Sequence, residues 1–419
     1  MYDSIIKTCV IFISLCFVTS PSAYGKVIYV DEEGPADFDT IQAAIDAASD
    51  GDTVLVASGR YTGNGNRNIG VAKAITLRSE HGPGTCIIDC QGEQEFGVEA
   101  IAFSGGHEVT SVLDGFTIIH APFGGIGTGI RPKVHIRNCI ISGNSGGIHA
   151  MCPDIIVENC VITGNGARNA VNQQGESSLG YGGGILYHGS GLAVVRNCLI
   201  SGNKAGFGGG IACAGIVHLE NSILIDNKAS SGHGHQAYLG LAGATCTAAG
   251  CPSLELLLSH CCIENDDPND FYDEAAVWPG FVLRLSNCMM ADPEIAEPGH
   301  WDPNGTPDDL DDDFWVNGDY HLKSQSGRWD PLSQSRVIDD ATSPCIDAGD
   351  PNSPIGLEPF PNGGRVNMGV YGGTAEASKS YFGEPVCETI IAGDINGDCR
   401  VDFRDLQIMA GHWLREQGE

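Results

Sequence analysis

Apolar and polar positions along the chain fall into a phrase that recurs. It reads IRNCIISGN at 136–144, VENCVITGN at 157–165, VRNCLISGN at 195–203 and LENSILIDN at 219–227. LSHCCIEND at 258–266 is a weaker copy, and GFTIIHA (115–121) and SNCMMAD (286–292) are degenerate end copies. Intervals between the cysteine-equivalent positions are 23, 21, 38, 24, 39 and 27, so the unit is 21–24 residues and the longest intervals contain insertions. A second phrase follows most copies: Gly124-Gly125-Ile126, Gly146-Gly147-Ile148, Gly183-Gly184-Ile185 and Gly209-Gly210-Ile211. Each unit predicts two or three short β runs divided by Gly or Asn, the residues that tolerate left-handed turns.

A unit this short cannot bury its own apolar face, so the units must stack. Coils stacked at strand spacing, about 4.8 Å, make a parallel β-solenoid. Equivalent side chains then form ladders. Asn138, Asn159, Asn197 and Asn221 predict one at a bend, and Asn144, Asn165, Asn203 and Asn227 another. Inside, the cysteine position stacks with Ile141, Ile162, Ile200 and Leu224, two residues on. Arg137, Glu158, Arg196 and Glu220 alternate in sign and predict an outward ion-pair ladder. Ile140, Val161, Leu199 and Ile223 predict an outward apolar stripe, covered by loops or open to a partner.

This pattern resembles the right-handed parallel β-helix repeats of the pectin-lyase-like superfamily. Val27-Ile28-Tyr29-Val30-Asp31 followed by GPADFDTIQAAIDAASDGDTVLVASGRYTG (34–63) is similar to the strand, short helix and strand that begin pectin methylesterases and related proteins. Ile41, Ala44, Ile45 and Ala48 lie at helical spacing and suit a cap helix over the open end. The resemblance covers residues 26–375 and implies an all-β fold, and the right hand comes from it alone. Its enzymes' residues do not carry over. The esterase Asp motifs, the Asn-Thr-Asp and Arg-Ile-Lys of polygalacturonases and the pectate-lyase calcium and arginine motifs are missing. Gly232-His233-Gly234 stands alone in a Gly/Ser/His loop.

Charge narrows the function classes. Lys and Arg number 22 against 53 carboxylates, a net charge of −31, which excludes the basic footprint that nucleic acid requires. Lys7, the apolar run Thr8 to Val18 and the small residues up to Gly25 read as a signal peptide over residues 1–25, so the mature chain is expected to be secreted or at the cell surface, without a transmembrane segment. Of 17 cysteines, Cys139, Cys160 and Cys198 read as small core residues. Cys86 and Cys90 share one strand face with Ile88, so burial is preferred there over a zinc site. Cys246 with Cys251, and Cys387 with Cys399, bracket short loops and read as disulfides.

From residue 289 the repeat gives way to acidic sequence, with 14 carboxylates against Arg284 alone in 265–313. Asp302 to Asp313 has calcium-loop oxygen density without the turn glycine. Residues 318–331 and 343–351, followed by NMGVYGGT, are expected to be the last coils and the C-terminal cap. A linker at 376–389 leads to a module at 390–419. There Asp394, Asn396, Asp398, Asp402 and Asp405 occupy positions 1, 3, 5, 9 and 12 of an EF-hand-type loop, with the Arg400 carbonyl at position 7. A helix follows. The module resembles one repeat of a type I dockerin, implying calcium as cofactor and a cohesin-like or surface-attachment partner. Cys399 stands where glycine is usual, and there is one copy instead of two.

Two functions fit: binding, with degradation or modification, of extracellular polysaccharide by lyase or glycoside hydrolase chemistry, and a non-catalytic adhesion or structural role at the cell surface. Insertions after Asn165 (166–182) and Asn227 (228–252), with a tight turn at Lys204 to Phe207 between them, predict a walled cleft. Arg168, Gln173, Gln174, Tyr181, Phe207 and Tyr238 would bind a sugar there, and Glu176, Lys204, His233 or His235 would act as base.

Overall fold

The computed structural model describes residues 25–92, 99–106, 110–151, 154–166, 170–171, 177–178, 180–240, 254–263, 269–273, 281–306, 313–383, 392–396 and 400–413. The signal peptide expected over residues 1–25 falls, but for its last residue, outside them. Three parallel sheets form the solenoid. The first has ten strands, from Val27–Val30 to Val282–Ser286; the second nine, from Gly59–Tyr61 to Met289–Met290; the third eight, from Ile69–Val71 to Phe271–Asp273. Register is exact in kind across insertions: Ile140 faces Val161, Val161 faces Leu199 and Leu199 faces Ile223. Helix Ile41–Ala47 buries Ile41, Ala44 and Ile45 against the first coil.

Between the first and second sheets each coil bends on a left-handed residue. Asn138, Asn159, Asn197 and Asn221 have φ of 49° to 52° there. The cysteine that follows closes the bend: Cys139, Cys160 and Cys198 donate to the carbonyls of Arg137, Glu158 and Arg196 at 3.1–3.2 Å, and Ser222 does the same to Glu220 at 2.8 Å. In these four coils the site holds a small donor, sulfur or oxygen, while the coil before them places Phe116 there. Cys86 and Cys90 are buried beside Ile88, as expected.

The second asparagine ladder is continuous. Asn144, Asn165 and Asn203 each give an Nδ2 hydrogen to the Oδ1 of the next coil's asparagine, at 3.0–3.1 Å, and Asn227 gives one to Gln236. Each Nδ2 also reaches a backbone carbonyl: Ile118, Ile141, Ile162 and Ile200 in turn. The bend asparagines behave differently. Asn138 donates to Asp114, while Asn159 and Asn221 turn outward to the C-terminal segment. The outward charges pair in part: Arg196 bonds Glu158 at 2.9 Å and Arg137 pairs with Asp114 at 3.0 Å. With His135 and Arg196 bonded to it, the Glu158 carboxyl is held down to about 2.

Residues 291–383 correct the expectation of final coils. Their described residues, 291–306 and 313–383, form a strap of antiparallel hairpins, Ile295–Glu297 with Asp319–Leu322, His300–Asp302 with Phe314–Val316, and Arg328–Asp330 with Ser335–Val337, followed by turns. The strap lies on the outer face of the second sheet. Ile295, Tyr320, Leu322, Met368 and Val370 bury Val161, Leu199 and Ile223, so the apolar stripe is covered from within the chain. Asn317 accepts from Ser142 and Thr163, and Asn159 donates to the Val370 and Gly372 carbonyls. The Trp315 indole fills the space beside Gly164 and Gly202, where any Cβ would collide with it.

The strap carries two buried groups whose pKa values are shifted by the folded chain. Burial pushes the Glu358 carboxyl up to about 7 although Asn367 and Gly373 amides bond it. For His321, burial acts downward, but the Asp319 and Glu376 carboxylates together outweigh it and raise its pKa. Both folded values lie above the unfolded ones, so both contributions are full at low pH and are lost as pH rises. For Glu358 the loss runs from about 4.5 to about 7. Melting followed across that window should show stability falling by on the order of 3 kcal/mol from this residue. Glu358→Gln should flatten the fall, and an unchanged slope would contradict the assignment. Asn203→Ala strands two Asn165 donors and the Ile162 carbonyl. Urea denaturation should show a loss of about 3 kcal/mol, and a loss under about 1 kcal/mol would mean the ladder contributes little.

Candidate functional site

The corner between the second and third sheets gathers the chemistry. Lys204–Ala205 pairs with Lys228–Ala229, Gly166 bridges to Lys204 and Tyr181 bridges to Phe207. The Gly-Gly-Ile phrase exists because the coils touch there by backbone: a Cβ on Gly184 would lie 2.6 Å from the Gly210 carbonyl oxygen. The isoleucine after each glycine pair is buried in the core, while Tyr181 and Phe207, just before the glycines, are half-buried at the corner.

Five rings meet at that corner. Tyr181 stacks on Phe207 at 5.0 Å, Phe207 stacks on His233 at 5.8 Å, and Tyr238 stacks on Tyr272 at 5.7 Å. His233 closes on Tyr272 at 4.3 Å, and Phe207 tilts against Tyr238 at 5.4 Å. Tyr238 is buried; Tyr181, Phe207 and His233 are half-buried; Tyr272, at the end of the row, is 37% exposed. Four of these were named from the sequence. Tyr272 was missed because its coil carries a degraded repeat, and only its register opposite Tyr238 reveals it.

The bases expected in this cleft are placed otherwise. Lys204 turns toward the strap, with Nζ 3.9 Å from the Trp301 ring centroid and 3.6 Å from Asp313. Burial lowers its pKa while Asp313 opposes that shift, and an ammonium paired in this way is a poor proton acceptor. His235 Nδ1 accepts the Ala229 amide at 2.9 Å, so its ring holds the turn in place. His233 lies inside the ring row. Arg168, Gln173, Gln174 and Glu176 lie outside the described residues, as do Cys246, Cys251, Cys387, Cys399 and Asp398.

The two insertions share a corner only in part. Residues 166–182, with the hairpin of Ala170–Val171 and Ser177–Ser178, join the second sheet to the third. After Asn227 the chain makes its turn and enters the third sheet at Ala237–Leu239 by residue 237; the remaining insertion, 241–253, leads from the third sheet to the first. A second feature missed from the sequence lies nearby on the third sheet: His149 and His188 meet edge to face at 5.7 Å, and burial lowers both pKa values.

In the tail, helix Phe403–Trp413 follows the acidic loop. Asp394, Asn396 and Asp405 are buried, and Asp405 accepts from the amides of Ile395, Asn396 and Asp402 at 2.6–3.1 Å. These bonds keep its carboxyl below the usual range. Among the described residues no three His, Cys, Asp or Glu converge as a metal cluster, and no helix is long and apolar enough to cross a membrane.

A family model described as "Right handed beta helix region" matches residues 63–266. The solenoid is accordingly a right-handed parallel β-helix. Solved structures with this likeness include Escherichia coli YbhC, at 13% identity and a TM-score of 0.42 over 65% of this chain and 87% of that one. Carrot pectin methylesterase is 15% identical, with a TM-score of 0.40, covering 64% of this chain and 84% of that one. Pectate lyase Pel9A is 14% identical, with a TM-score of 0.36, covering 83% and 96%. No curated protein matches the chain.

Proposed function

We propose that this is a secreted β-helix protein that binds extracellular polysaccharide along the corner lined by Tyr181, Phe207, His233, Tyr238 and Tyr272. The observation that carries the reading is the ring row itself, laid along the solenoid axis over successive coils and partly open. Aromatic edges and faces with hydroxyls at their rims suit the apolar faces of a sugar chain lying along them. Lys204 is turned away and the chain carries −31, so an uncharged glycan fits this corner better than a polyuronate. Binding is favoured over catalysis: hydrolysis or elimination needs an acid and a base beside the scissile bond, and Lys204 and His235 are already engaged. Covering of the apolar stripe removes the surface that a pure adhesion role would have used.

The tail is the attachment module of this reading. Calcium would be held by Asp394, Asn396, Asp398, the Arg400 carbonyl, Asp402 and Asp405, and would neutralise the clustered carboxylates. Three of these side chains are buried in the loop, which fits the donor set. Phe403, Leu406 and Met409, at helical spacing and exposed, would face a cohesin-like or surface partner.

A panel of soluble glycans measured by affinity electrophoresis should retard the intact protein. Tyr272→Ala or Phe207→Ala should weaken that binding at least tenfold, about 1.4 kcal/mol. Binding that survives both changes places the site elsewhere. For the tail, titration calorimetry of the intact chain with calcium should lose one site in Asp405→Ala; equal heats from both proteins would remove calcium from the account.

A further inference from the structure

The strap meets the solenoid at a pair of cysteines. Cys262 lies on the outer face of the second sheet, in register between Ile223 and Met289. Cys345 descends on it from the strap, its carbonyl held by the Met368 amide at 2.9 Å. Both are free thiols, completely buried in the apolar cluster that docks the strap; Cys262 Sγ donates to the Ala291 carbonyl at 3.3 Å, and the Cys345 amide donates to Ser343, whose hydroxyl bonds the carbonyl of Pro293, two residues from Ala291. We propose that Cys262 and Cys345 form a disulfide that staples the strap across the second sheet.

Other thiols are neighbours too, but with different geometry. Cys139, Cys160 and Cys198 are rungs of one ladder, so their Cα–Cβ bonds run side by side at about 4.8 Å. A disulfide requires Cβ atoms about 3.5–4.5 Å apart and converging, which parallel in-register neighbours do not provide. Cys262 and Cys345 come instead from two different surfaces, the sheet and the strap, that pack in one apolar cluster.

The oxidant is a small-molecule disulfide such as oxidised glutathione. One thiolate attacks it and releases one glutathione; the second thiolate displaces the other from the mixed disulfide. Two cysteine thiols and one glutathione disulfide become one protein disulfide and two glutathiones, each receiving one thiol proton. With the strap docked, neither sulfur is reachable, and the adjacent Cys262 thiol together with burial raises the Cys345 pKa, so the first step belongs to the undocked strap and the second to its arrival. Once formed, the bond is shielded from reductant by the same burial.

The test is refolding of the full reduced chain in glutathione redox buffer, followed by alkylation under denaturing conditions and tryptic mapping. Residues 337–365 form one tryptic peptide whose single cysteine is Cys345. That peptide should be found linked to the peptide containing Cys262. The link should vanish in Cys262→Ser and persist in Cys261→Ser. Oxidised wild type should melt roughly 5–10 °C above Cys345→Ala. Alkylated Cys345 in the refolded, oxidised protein, or a link that survives Cys262→Ser, overturns the proposal. Because the buffer supplies the oxidant, neither result depends on secretion or on glycan binding.

Discussion

The structure depends on the side-chain amides of Asn144, Asn165, Asn203 and Asn227, which repeat inside the solenoid the hydrogen-bond ladder of the sheets around them. An apolar interior alone would let one coil slide along the next, since Ile over Ile and Ile over Leu pack about equally well. Each buried amide instead must find one carbonyl in its own vicinity and one asparagine in the next coil, and a slip of one residue would leave both unpaired. Registration at this turn fixes where every later residue emerges. The Gly-Gly-Ile segment, the ring row and the strap's docking face are all placed by it.

That constraint explains what was legible in the sequence. The repeat, its register and the inward Asn–Ile pattern are local and periodic, so the coils from Gly115 to Ile263 could be read from spacing alone. The ring row was mostly legible because the insertions and the tight turn mark this corner: Tyr181, Phe207 and His233 hold equivalent places just before a left-handed glycine, and Tyr238 lies on the strand that follows. Long-range partnerships were not legible. Nothing local to Lys204 indicates that Trp301 and Asp313, about a hundred residues on, will occupy it. The insertion after Asn227 was misplaced because Gln236-Ala237 replaces the Gly-Gly-Ile signature, hiding the third-sheet strand within what looked like loop.

The strap is the largest departure from the sequence reading, and it follows from the outward stripe. Val161, Leu199 and Ile223 stand on a face that charged residues would be expected to occupy, and an uncovered apolar face of this size invites association. The chain covers it with its own C-terminal third, and glycines at 164 and 202 admit Trp315. With this face covered, the ring-lined corner remains a partly open aromatic surface along the coils, and the proposed binding is placed there. Within the strap, the raised Glu358 and His321 pKa values favour the folded chain more at low pH than at high pH.

Hydrogen exchange on the intact chain, with and without a soluble uncharged oligosaccharide, addresses the central claim most directly. The account predicts that backbone amides of the asparagine-ladder coils exchange slowest in both states. Added glycan should slow exchange at 180–184, 206–210, 232–240 and 269–273, leaving the strap unchanged. Slowing confined to the strap, or asparagine-ladder coils that exchange as fast as the turns outside them, would contradict it.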